Sequence, residues 1–217
     1  MNWHVHYLDG HGRISPFKAA VEKALDDVKA RMLAVCELPQ VDIVVRAVPA
    51  DWVIPEKGHV GRCSGEIVDL YLAPEHPNLT GNLGQSLSQM IAHEMHHAMR
   101  FQSIGLPKTL GDVLVSEGLA GRFVEELFQN DPEPWERAFS RLELQKFVPL
   151  AQTSFDGSDY DYAEWTYGTG KLPRWLGYTL GYEIVGDFIA RNSGACASNL
   201  VSAPSADFKM ALDSFAA

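Results

Sequence analysis

Hydrophobic and polar residues alternate in three short stretches of the first third of the chain. Trp3-His4-Val5-His6-Tyr7-Leu8 alternates in polarity and ends at Gly10-His11-Gly12, which predicts a first strand. Residues 41–48 are almost wholly apolar between Pro39 and Pro49 and predict a well-buried strand; residues 66–72 predict another, closed by Pro74 and Pro77. Between them, residues 51–65 carry Pro55, Gly58, Gly61 and Gly65 and read as an irregular connection with at most one short strand. The 66–72 strand immediately precedes the next helix. It is the candidate for a sheet edge to which an extended peptide could pair, and a strand that merely completes the sheet is an equal reading.

A period near 3.6 governs most of the remainder. Phe17, Val21, Leu25, Val28 and Met32 form one stripe, with Ser15 as the expected cap, Pro16 at the first helical position and a charged outer face. After Gly81-Asn82-Leu83-Gly84, the residues Leu87, Met90, Ile91, Ala98 and Phe101 predict a helix with apolar positions on both sides, stopped at Gly105 and Pro107. Residues 109–129 predict a second helix whose inward stripe is Val113, Ala120, Val124 and Leu127. A third is expected from Pro134 to about Phe147, a last long one from Pro173 to about Asn192, and a short one after Pro204. Residues 149–170 lack any period but hold Phe155, Tyr160, Tyr162, Trp165 and Tyr167, so they are expected to form a long loop, functional or disordered, for which a lid is one hypothesis.

Candidate chemistry concentrates in His93-Glu94-Met95-His96-His97. On a helix, imidazoles four residues apart lie one turn above each other and can converge on one ion, while the glutamate between them is placed for a water. His96 competes for the second ligand position from i+3; the i+4 spacing favours His97. Glu117 falls on the inward stripe of the next helix, where a carboxylate is costly without a cation to meet it. Zinc is the economical explanation. His4 and His6 share a strand face but have no third ligand nearby, and are read as solvated.

Composition limits the partners. The net charge of −10 and pI near 5.2 argue against a nucleic-acid backbone or an anionic membrane surface. No apolar run reaches the length of a membrane span, and Met1-Asn2-Trp3-His4-Val5-His6 has no secretory pattern. Cys36, Cys63 and Cys196 are odd in number and suit reduced thiols. The expectation is a cytoplasmic protein.

These residues resemble a known family. His93-Glu94-x-x-His97 followed by Ser116-Glu117-Gly118-Leu119-Ala120 is similar to the gluzincin class of zinc peptidases, the thermolysin-like arrangement. With Pro173-Arg174-Trp175-Leu176-Gly177-Tyr178-x-x-Gly181-Tyr182, the chain resembles more closely the YjaZ-type family of small predicted zinc-dependent proteases. The resemblance implies Zn2+ held by His93, His97 and Glu117, Glu94 as general base, and an oxyanion donor from a tyrosine. Tyr178 is the choice for that donor, with Tyr182 and Tyr167 as alternatives. Thermolysin-like enzymes carry an acid four residues after the glutamate ligand, where this chain has Gly121. Glu125, Glu164 and Asp112 are the candidates for what orients the ligand histidines instead.

The implied fold is α+β and zincin-like, one catalytic domain over 1–217. A small mixed sheet with a helix forms an upper lobe to about residue 104, and a mainly helical lower lobe from about 105 completes a zinc cleft. The implied function is hydrolysis of peptide bonds in a peptide or protein substrate, without nucleic acid or membrane as partner. A zinc-binding or sensing domain without turnover, and a zinc hydrolase of non-peptide amides or esters, stay open. The sequence says nothing of oligomeric state.

Overall fold

Three of the four strands run parallel, and parallel neighbours need a crossover between them. In the computed structural model, which describes residues 3–216, β1 (Trp3–Leu8) leads through α1 (Lys18–Leu33) to β2 (Val41–Ala47). β3 (His59–Ser64) and β4 (Ile67–Leu72) then form a hairpin, and the sheet order is β1-β2-β4-β3. β1 pairs parallel with β2 (Trp3 opposite Val41) and β2 with β4 (Asp42 opposite Ile67), whereas β3 runs antiparallel to β4 (Gly61 opposite Leu70). Met1 and Asn2, which open the N-terminal stretch discussed above, lie outside the described residues.

The edge assignment made from sequence is corrected by this order. β4 lies inside the sheet with a neighbour on each side, and the edges are β1 and β3. The glycines of β3 hid it. Gly65 turns the hairpin at φ +71, in the first of two loop residues, where short hairpins favour a positive φ. Gly61 sits mid-strand, where a glycine often marks a close approach of another group.

Alternation along the inner strands explains their burial. Val41, Ile43 and Val45 of β2 and Val68, Leu70 and Leu72 of β4 are buried, while Asp42 and Ile67 are exposed. Val21, Ala24, Leu25, Val28 and Met32 are the buried stripe of α1. Ser15 does not cap that helix. It lies in a 3-10 turn (Ser15–Phe17), and its hydroxyl donates to Asp9 at 2.6 Å. The motif helix α2 (Gln85–Ile104) ends at Gly105, φ +83.

Two compact units divide the chain, residues 1–103 and 104–217. The first holds the sheet, α1 and nearly all of α2. The second is built on α3 (Leu110–Phe128), started by a reciprocal Thr109–Asp112 capping box and ended by Gln129 at φ 51. In place of the expected third helix there are turns and a single helical turn, α4 (Arg141–Leu144). The stretch 149–170 is likewise not a loop. It contains most of α5 (Val148–Ser154) and all of α6 (Tyr162–Tyr167). α7 (Leu176–Arg191) and α8 (Lys209–Asp213) complete the unit. No helix among the described residues is long and apolar enough to cross a membrane.

α3 and α7 approach until backbone meets backbone. A Cβ on Gly118 would stand 2.1 Å from the carbonyl oxygen of Gly181, and one on Gly181 would stand 2.1 Å from that of Leu114. Gly177 serves a different contact, with the Trp165 carbonyl of α6 at 3.0 Å from its Cβ position.

Candidate metal centre

The i,i+4 spacing on α2 brings His93 and His97 together as helical geometry requires. Their Nε2 atoms are 3.1 Å apart, with ring centroids at 4.8 Å and planes at 78°. Two nitrogens each bound at about 2.05 Å to one tetrahedral ion stand about 3.3 Å apart. The pair therefore has the spacing of two ligands of one zinc. His96 is fully buried and takes no part in this pair. Glu94 is also buried, and the backbone of β3 runs against it: a Cβ on Gly61 would be 2.5 Å from Glu94 Cγ and 3.0 Å from its Oε1. Cys63, two residues along β3, has its thiol pushed up to about 12 by burial and then by the charge of Glu94.

In the second unit, α3 presents Glu117 to a group of tyrosines. The Tyr162 hydroxyl of α6 donates to Glu117 Oε1 at 3.2 Å. Tyr162 and Tyr178 share a further hydrogen bond, and Tyr167 packs edge-on to Tyr162 with centroids 5.9 Å apart. Burial first, and then the charge of Glu117, raise the pKa of both Tyr162 and Tyr178, so both hydroxyls stay protonated. Tyr182 points elsewhere: its hydroxyl donates to Glu125 Oε2 at 2.7 Å, and Arg122 stacks on its ring at 3.5 Å from the centroid. Tyr162 was not singled out from sequence. The only signal it left was its place in an aromatic-rich stretch without period.

The three acids put forward to orient the ligand histidines are engaged elsewhere. Asp112 accepts the backbone N–H of Lys108 and Thr109 and the hydroxyl of Ser205 at the start of α3. Glu125 holds Arg122 and Tyr182, and Glu164 accepts from the Lys171 N–H at 2.7 Å. At Gly121, the position where thermolysin-like enzymes commonly carry an acid, a different carboxylate occupies the space: a Cβ there would be 2.3 Å from Oε1 of the buried Glu136.

Comparison with known proteins places the chain in a family. Residues 19–209 match a family described as "Predicted Zn-dependent protease". The chain belongs to this family. Among curated proteins it is similar to two uncharacterized proteins of Bacillus subtilis (strain 168). It is 30% identical to YjfC over 118 residues, 48% of this chain and 40% of that protein. To YjaZ it is 28% identical over 124 residues, 53% of this chain and 47% of that protein. The chain thus spans under half the length of either relative. The family is described as zinc-dependent, and His93 and His97 on α2 have the spacing of two ligands of one ion.

Proposed function

We propose that the protein is a zinc peptidase, a single catalytic domain of zincin-like fold that cleaves peptide bonds. His93, His97 and Glu117 hold the metal. The observation that carries this reading is the 3.1 Å separation of the two imidazole Nε2 atoms with Glu94 on the same helix beside them. Bound zinc supplies a Lewis acid that lowers the pKa of a water toward about 7.

The chain's own groups do the rest. Glu94 takes a proton from the attacking water as its oxygen bonds to the peptide carbon, and passes that proton to the amine nitrogen as the C–N bond breaks. The hydroxyl of Tyr178, held protonated by its surroundings, turns from its partner Tyr162 to donate to the carbonyl oxygen as that atom gains charge. Substrate reaches these groups along β3. As one of the two edge strands it has one sheet neighbour, β4, so an extended peptide can pair with its other side. Because Gly61 lies against Glu94, a peptide on that edge has its backbone within about one strand spacing, ~4.8 Å, of the strand that touches the base.

A binding or sensing domain has no use for a glutamate in this position, which is why hydrolysis is preferred. The test is Glu94→Gln. Zinc content is expected to match the parent while cleavage of a peptide library falls by about 10²–10⁴. Equal turnover by the two proteins rejects Glu94 as the base.

A further inference from the structure

α6 is a helix of six residues, too short to persist on its own local interactions. The fold holds it at both ends. Asp161 accepts the backbone N–H of Ala163 at 2.8 Å and of Glu164 at 3.1 Å, and Gly168 ends the helix at φ 68. Gly168 lies so close to Arg174 that a Cβ would be 2.6 Å from its backbone nitrogen. The Thr166 carbonyl accepts from the Trp175 N–H at 2.9 Å. Trp175 adopts φ 73, a left-handed conformation that is strained in a non-glycine residue and persists only where the surroundings over-determine it.

What this scaffolding places is the Tyr162 hydroxyl. It stands 3.2 Å from Glu117 Oε1. A carboxylate has no proton to give, so Tyr162 is the donor in that bond. In its second bond, with Tyr178, Tyr162 must then be the acceptor. The result is a directed chain, from Tyr178 to Tyr162 to Glu117.

We propose that Tyr162 is a positioning residue for Glu117: its hydroxyl occupies one carboxylate oxygen, so that Glu117 presents the other, in a fixed orientation, to the metal. This rests on the reading of Glu117 as a zinc ligand. A carboxylate with both oxygens free can rotate or bind through two atoms; one held by a donor is kept to a single orientation. Groups in this role are worth about 10–100-fold in metal affinity.

Tyr162→Phe tests the idea, because it removes the hydroxyl and keeps the ring that packs on Tyr167. Zinc affinity, measured by competition with a chromophoric chelator, is expected to fall at least about tenfold. The urea midpoint of the metal-free protein should stay that of the parent. The same substitution is then made in a Glu117→Gln background, where its effect on zinc affinity is expected to vanish. An unchanged affinity in Tyr162→Phe, or an equal loss in both backgrounds, overturns the positioning role while leaving Glu117 as a ligand. If Glu117→Gln alone binds zinc as tightly as the parent, the ligand reading fails, and the positioning role fails with it.

Discussion

The backbone of Gly61 in the edge strand lies directly on Glu94: a Cβ at Gly61 would sit 2.5 Å from Glu94 Cγ and 2.2 Å from Met90 Sδ. The methionine is flexible and can yield. The glutamate cannot yield without moving the carboxylate. Gly61→Ala is therefore expected to cost about 1–3 kcal/mol of stability through overpacking, and at least about tenfold in kcat/KM on a peptide substrate. Zinc content should be retained, since neither imidazole is touched. Parental kcat/KM in a folded, zinc-loaded variant would show that the Gly61–Glu94 approach does not position the base.

That contact also marks where the sequence could be read and where it could not. β1, β2, β4, α1, α2, α3 and α7 were legible because each repeats its period over enough residues, and because Gly105, Pro107 and Pro132 punctuate them. β3 was not. Gly58, Gly61 and Gly65 look like loop punctuation, yet Gly61 is a strand residue made small by the glutamate beneath it. α5 and α6, of seven and six residues, are shorter than the window in which a 3.6 period can be recognised. Tyr162 was lost with them, since its significance lies in which carboxylate it meets. His93, Glu94 and His97 were visible because their relation is local to one helix turn. Tyr162, whose hydroxyl meets Glu117, lies 45 residues away along the chain.

Gly118 lies beside Glu117 in sequence and serves the packing of α3 on α7. Replacing a helical glycine by alanine gains up to about 1 kcal/mol in helix propensity. Here the added Cβ would be 2.1 Å from a backbone oxygen, which no side-chain rotation relieves. The clash should win. Gly118→Ala is expected to destabilise the protein by about 2 kcal/mol or more in urea unfolding and to weaken zinc binding by displacing α3. Gly84, with nothing within 4 Å of its Cβ position, is the control, and Gly84→Ala should be close to neutral. A Gly118→Ala protein as stable as the parent would show that the two helices can separate at little cost.

His59 gives the first unit a pH dependence of definite sign. At the start of β3 its side chain is fully buried, with Nε2 3.3 Å from the Ser86 hydroxyl. Burial first, and then the charge of Lys57, lower its pKa to about 4, against a partial opposing effect of a hydrogen bond with the Asn82 backbone. In the unfolded chain the ring titrates near 6.5. Between those values the unfolded state binds a proton that the folded state refuses, so stability increases with pH. The contribution is complete above about 6.5 and is lost as the pH falls to about 4, an effect on the order of 3 kcal/mol. Metal-free protein should therefore lose stability between pH 7 and 4.5 in urea titrations. In His59→Gln, which has no titrating group at this position, that loss should be smaller by about 2–3 kcal/mol. Equal losses in the two proteins would mean that His59 stays neutral for a reason that unfolding does not remove, and that the acid sensitivity of this unit arises elsewhere.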